Sequence, residues 1–88
     1  MRVCEICGSP YNIERHHVFN GAYRKKSGKY NAVTDLCHNC HNEPPNGVHH
    51  NAQNMRALKA KYQKLIMQEY QLTTEQFIHL FGKNYIGE

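Results

Sequence analysis

Apolar and polar positions change their period along the chain, from a strand-like pattern in the first half to a helical one in the second. Residues 13–19, IERHHVF, set Ile13, Val18 and Phe19 around a polar centre between the turn signals SPYN and NGAY, which predicts a short β-strand. Residues 32–36, AVTDL, alternate Val33 against Asp35 and predict a second strand running straight into Cys37. Between them NGAYRKKSGKYN reads as a long basic loop. Pro44 and Pro45 forbid a continuous helix through NEPPNG and force a turn. From about Val48 to Tyr70, Met55, Leu58, Tyr62, Leu65 and Ile66 recur at spacings of three and four, an amphipathic helix whose stripe is most simply core. LTTEQFIHLFG then predicts a shorter helix. Thr73 and Gln76 suit a capping box, Phe77, Leu80 and Phe81 a buried stripe, and Gly82 the C-terminal cap, with His79 a surface or packing residue.

Two strands followed by two helices make an α+β fold, with no internal repeat, low-complexity tract or second domain, so residues 1–88 are expected to form one unit. A chain of 88 residues buries too little apolar surface to be comfortable without a metal, disulfides or a partner. Lys and Arg total 11 against 7 acidic residues, and the net charge of +4 makes a polyanion a natural partner. No apolar run approaches the ~18 residues needed to span a bilayer, and MRVCEICGSPYN lacks the apolar core of an export signal. The expectation is a cytoplasmic protein with no membrane contact.

In a reducing compartment, Cys4 and Cys7 with Cys37 and Cys40, two C-x-x-C pairs, are better metal ligands than disulfide partners. Cys37 to His41 also spell C-x-x-C-H, a c-type haem attachment signature. Haem is disfavoured, because its covalent attachment follows export and would leave Cys4 and Cys7 without a role. Four thiolates in two knuckles suit a tetrahedral structural Zn2+, closed to substrate.

The histidines require a second explanation. His16 and His17 lie on the first predicted strand, and His38, His41, His49 and His50 surround the start of the long helix. Adjacent strand residues point to opposite faces, so His16 and His17 cannot share one job. One histidine on a metal and its neighbour facing substrate would satisfy that geometry, and a second metal site is expected.

HH on a strand, a basic segment, then a strand leading into LCHNCH and a helix resembles the HNH (ββα-metal, or His-Me finger) endonucleases, in the subgroup stapled by two C-x-x-C zinc knuckles. The resemblance covers about residues 4–66, with the ββα-metal core at about 13–66 and a helical extension at 67–88. FGKNYI at 81–86 is similar to the ends of small phage-type members. The resemblance implies that His16 and His41 bind a catalytic divalent cation, Mg2+, Mn2+, Ni2+ or Zn2+, and that His17 is the general base. His-His in place of the commoner Asp-His is a known variant. The family's middle asparagine would fall at Ala32, so Asn31 serves only with a shift of one residue. From its chemistry, His49 or His50 could close on the same cation, and His49 is preferred because Val48 suits a buried approach. His38 is expected to face solvent.

The implied activity is hydrolysis of DNA phosphodiester bonds to 5′-phosphate and 3′-hydroxyl ends, with weak sequence specificity. Arg24, Lys25, Lys26 and Lys29, together with Arg56 and Lys59, are candidates for phosphate contacts in binding that weakens with salt. A monomer is the simpler expectation and would nick one strand. An inactive zinc-stapled nucleic-acid-binding module would share the cysteines and the charge without needing His17, and a metal-storage protein would need the histidines without the basic segment.

Overall fold

A computed structural model of the chain describes residues 2–86. The expected unit and its C-terminal extension also include residues 1, 87 and 88, which lie outside the described residues. The architecture is α+β. Strand β1, Ile13–His17, pairs antiparallel with β2, Val33–Cys37, and the sheet has only these two strands among the described residues. Four helices accompany them: α1, Arg24–Lys29; α2, His38–Asn42; α3, Ala52–Tyr70; and α4, Thr74–Phe81, with 3-10 turns at Gly21–Tyr23 and Val48–His50.

The register pairs Ile13 with Cys37, Arg15 with Asp35 and His17 with Val33 on one face, and Glu14 with Leu36 and His16 with Thr34 on the other. Helix α3 is tied to the second face through Glu5. The Thr34 hydroxyl, the Lys61 ammonium and the Tyr62 hydroxyl all donate to the Glu5 carboxylate, the last at 2.6 Å. Burial raises the Glu5 pKa, but these donors outweigh it and hold the carboxyl below its ordinary value.

The expected basic loop is largely helical, which corrects the sequence reading. Arg24, Lys25 and Lys26 are good helix formers. The fully buried Ser27 locks the turn: its hydroxyl accepts from the Phe19 N–H at 3.1 Å and donates to the Ala32 carbonyl at 2.5 Å. Ser27→Ala would leave the buried Phe19 amide without that partner and is expected to cost about 1–3 kcal/mol in urea unfolding. The strands also shift: β1 stops at His17 rather than Phe19, and β2 starts at Val33 rather than Ala32. Val18 and Ala32 still join the hairpin, the Val18 N–H donating to the Ala32 carbonyl at 2.9 Å.

Helix α3 begins at Ala52, not Val48. Asn51 takes an extended conformation and accepts from the Asn54 N–H at 2.9 Å, a side-chain N-cap that separates the helix from the preceding turn. Leu58 and Ile66 are buried as expected, whereas Leu65 is exposed; Gln63, which the apolar stripe does not include, is fully buried. In α4 the capping box of Thr73 and Gln76 forms on both sides, Phe77 and Phe81 are buried, and Gly82 caps the helix at φ 84°. A Cβ there would also collide with the Tyr23 hydroxyl. Phe77 packs edge-on and Phe81 at a tilt against Phe19, with ring centroids 5.7 and 4.6 Å away, and so close the core behind the end of β1. No helix among the described residues is long and apolar enough to cross a membrane.

Candidate metal centres

Two side-chain clusters lie beside the sheet, and α2 contributes to both. The first is made of sulfur. Between Cys4 and Cys7 the chain turns back on itself, the Gly8 N–H donating to the Cys4 carbonyl at 2.8 Å with Gly8 at φ 80°, and the Cys7 N–H pointing at the Cys4 sulfur, 3.5 Å away. Cys37 ends β2 and Cys40 lies one turn on, in α2. The four Sγ atoms are within 4.8 Å of one another, and all four cysteines are free. Burial raises the Cys4 pKa, yet the N–H groups of Cys37, Cys7 and Ile6 draw it down to about 6, while burial and the neighbouring thiols push Cys40 the other way. Sulfurs this close cannot all become thiolates without a cation among them, and their number and spacing are compatible with structural zinc.

The second cluster is made of imidazole. Strand parity turns His16 inwards and His17 outwards. His16 is 3 % exposed and meets His41 of α2 and His49 of the 3-10 turn, with ring centroids 5.0 and 5.2 Å away. His41 and His49 bring their Nε2 atoms to 3.0 Å, and one ring nitrogen from each of the three residues lies within 4.8 Å of the others. The turn that delivers His49 is tight: the Gly47 N–H donates to the Glu43 carbonyl at 2.7 Å, and a Cβ on Gly47 would overlap the Glu43 backbone.

Three observations fit this cluster to a cation. The His16 Nε2 is buried and has no hydrogen-bond partner, an orphaned acceptor or donor that needs an explanation. Burial, then the charges of His41 and His49, lower the His16 pKa to about 4, and burial lowers that of His49, so both rings are neutral at neutral pH and carry a free lone pair. Finally, His41 donates its Nδ1–H to Glu14 Oε1 at 2.8 Å, which leaves its Nε2 lone pair facing the cluster. Glu14 is itself held: it accepts from Asn42 at 3.0 Å, and His41, then His38, keep its carboxyl below the usual range. A carboxylate behind a ligating histidine fixes ring and tautomer. Three imidazoles suit zinc, nickel, cobalt or manganese better than magnesium and leave coordination positions open, unlike the closed sulfur set.

Glu14 escaped the sequence reading, although its place two residues before His16 sets it on the same face of the strand. Glu14→Gln is expected to weaken divalent-cation binding at the histidines by about 10–100-fold, measured by competition with a chromophoric chelator on zinc-loaded protein. An unchanged affinity would show that Glu14 serves only α2.

His17 lies on the other face, in a cleft of about 210 Å³ lined by Arg15, His16, His17, Asn20, Arg24, His41 and His49. Burial, then the charges of Arg24 and Arg15, hold its pKa below the ordinary value. Arg15 and Asn20 are additions to the sequence reading. The parity that separates His16 from His17 also sets Arg15 beside His17, whereas nothing in the pattern singles out Asn20.

Asn31 is not among the residues lining the cleft. It is exposed, adopts φ 60° and closes α1 with its N–H on the Gly28 carbonyl at 3.2 Å, a left-handed cap that asparagine tolerates. Of the basic candidates, Arg24 reaches the cleft and Lys25 is exposed on α1. Lys26 instead donates to the Leu80 carbonyl in the last turn of α4 at 2.9 Å, and Lys29 lies over the Tyr30 ring at 5.8 Å. Arg56 is exposed on α3, and Lys59 is half-buried with its ammonium over Tyr85. His50 is exposed outside the imidazole cluster. His38 faces solvent, where Glu14 at 2.9 Å and Glu43 at 3.0 Å bind both its ring nitrogens and raise its pKa.

Comparison with protein-family models, with curated proteins and with solved structures returns no match for this chain.

Proposed function

We propose that the protein is a metal-dependent endonuclease of the HNH type, a small phage-type member with a zinc-stapled ββα-metal core, that hydrolyses DNA phosphodiester bonds. The observation that carries this reading is the division of labour at the end of β1. His16 turns its orphaned nitrogen towards His41 and His49, while His17, one residue on, faces a cleft lined by two arginines and takes no part in that cluster.

His16, His41 and His49 would hold the cation. Bound there, it would act as a Lewis acid towards the phosphate, offsetting the negative charge that grows on its oxygens. His17 supplies the base. A neutral imidazole accepts a proton at neutral pH, and the lowered pKa of His17 keeps it neutral further into the acid range. His17 takes a proton from water as the water oxygen attacks phosphorus and the bond from phosphorus to the 3′ oxygen breaks. The 3′ oxygen leaves with a proton from solvent, giving 5′-phosphate and 3′-hydroxyl ends. Arg15 and Arg24, which line the cleft, would hold the phosphate by charge and hydrogen bonds. Glu14 keeps His41 oriented throughout. With Arg15 and Arg24 assigned to phosphate, which carries no sequence information, the expected sequence preference is weak.

The test is incubation of supercoiled plasmid with zinc-loaded protein and added manganese, nickel or magnesium. Conversion to the nicked form that EDTA stops is the expected result. Intact plasmid with every metal would replace this reading with that of a nucleic-acid-binding module that performs no chemistry.

A further inference from the structure

We propose that the segment Gly82–Ile86, folded back on α3, builds a phosphate-binding subsite in which Lys59 and Lys83 grip the backbone of duplex DNA beside the three-histidine cluster. The choice of DNA rests on the nuclease reading; the subsite itself rests on the following geometry.

The segment is held by a residue whose burial is otherwise unexplained. Gln63, fully buried in the middle of α3, donates from Nε2 to Asn84 Oδ1 at 2.8 Å and accepts the Tyr85 N–H on Oε1 at 2.7 Å. Asn84 Oδ1 also accepts the Ile86 N–H at 3.2 Å. A buried amide left unsatisfied is costly, so these bonds pin the segment to the helix. The Tyr85 ring packs 5.7 Å from Phe19 in the core.

Two ammonium groups converge on the ring fixed in this way. Lys59 Nζ lies 5.2 Å and Lys83 Nζ 5.7 Å from the Tyr85 centroid. Arg56 precedes Lys59 by three residues on α3, the spacing of neighbours on one helix face. Among the described residues none of these three cations makes an ion pair. The carboxylates of Glu5, Glu14, Asp35 and Glu43 are engaged elsewhere, with Lys61, with His41 and His38, with Arg2, and with His38. The aromatic face attracts each cation but does not neutralise it. Burial, then the Lys83 charge, accordingly lower the Lys59 pKa.

Gathering like charges on one ring, with no carboxylate paired to them among the described residues, is unfavourable unless an anion completes the arrangement. The Tyr85 ring that gathers them lies against Phe19, two residues beyond His17, so the lysine pair sits near the end of β1 that carries His16 and His17. A backbone with one negative charge per nucleotide, engaged by one phosphate at the histidines, presents a neighbouring phosphate to Lys59 and Lys83. The residues FGKNYI therefore carry a binding role and do more than end the chain.

The experiment is fluorescence anisotropy of a short labelled duplex with the zinc-loaded full chain, without added divalent cation, across ~50 to 200 mM salt. Wild type is compared with the Lys59→Gln/Lys83→Gln double variant and with Gln63→Leu, and thermal melting is followed in each. The double variant is expected to melt like wild type, to bind several-fold more weakly at low salt, and to lose about 1.8 from the slope of log K against log salt, ~0.9 for each phosphate contact. Gln63→Leu keeps both charges but releases the segment, and is expected to lose part of that slope. An unchanged slope in the double variant, or no binding by wild type at low salt, would overturn the subsite. Plasmid cleavage run in parallel separates the two readings. A protein with the lysine-dependent slope that never cleaves keeps the subsite and loses the nuclease; one that cleaves with an unaltered slope keeps the nuclease and loses the subsite.

Discussion

Cys37→Ser is expected to leave the chain unfolded even with zinc in excess. The physical reason is the small core: among the described residues the buried apolar ones are Cys4, Val18, Phe19, Ala32, Leu36, Cys37, Val48, Leu58, Ile66, Phe77 and Phe81. Two of these are cysteines of the sulfur cluster, and a third, Leu36, adjoins it in sequence. A structural zinc contributes about 10–16 kcal/mol of apparent binding energy in small zinc-dependent folds, as much as or more than the ~5–15 kcal/mol net stability of ordinary domains. Cys37 closes β2, opens α2 and offers its sulfur 3.6 Å from that of Cys7, so its loss uncouples the N-terminal knuckle from the sheet. Far-UV circular dichroism and zinc stoichiometry provide the measurement, with strong chelation of the wild type as the parallel case. A Cys37→Ser variant that binds no zinc but keeps its helical signal and a cooperative melt would remove the staple from this account.

His17→Ala is expected to behave in the opposite way, retaining fold and both metals while losing about 10²–10⁴ of the nicking rate, the range typical for removal of a general base. His17 is outside both clusters, on the face of the sheet away from His16, so no ligand leaves with it. The control is His41→Ala, which should lose the cation of the histidine cluster while retaining the structural zinc. If His17→Ala nicked plasmid at the wild-type rate, the base would have to be another group, and the cleft would lose its assigned role. A variant that instead lost cation affinity would make His17 a ligand.

How much of this was legible in the sequence depends on whether local pattern or distant packing decides each feature. The paired cysteines, the capped short helix and the opposite facing of His16 and His17 follow from spacing and parity, and the structure has all three. His49 was separable from His50 only by the character of its neighbour, and it is His49 that meets His16 and His41. The helix at Arg24–Lys29 is obscured because its glycine and lysines look like those of a solvated loop; what holds it is the buried Ser27, bonded to Phe19 and Ala32 just beyond the ends of the two strands. The burial of Gln63 is likewise decided by distant packing. A glutamine on a helix is ordinarily exposed, and its partners here, Asn84 and Tyr85, are some twenty residues away. The position of Asn31 followed from backbone geometry, a left-handed turn that no hydrophobic pattern records. The nuclease reading itself still rests on chemistry and resemblance, which is why the plasmid assay matters most.

Helix α2 is only five residues long, yet Cys40 and His41 are neighbours in it, one turned to the sulfurs and the other to the imidazoles. Ions held at the two clusters would therefore be thermodynamically linked. Whatever order a zinc at the cysteines imposes on α2 is order that His41 no longer has to acquire, and the coupling is reciprocal: each ion raises the affinity for the other by the same factor. Shortage of zinc would then weaken cation binding at the imidazole site, although no cysteine touches it. Cation titrations of the histidine cluster before and after zinc loading measure that factor directly, and equal affinities would mean that the two sites ignore each other.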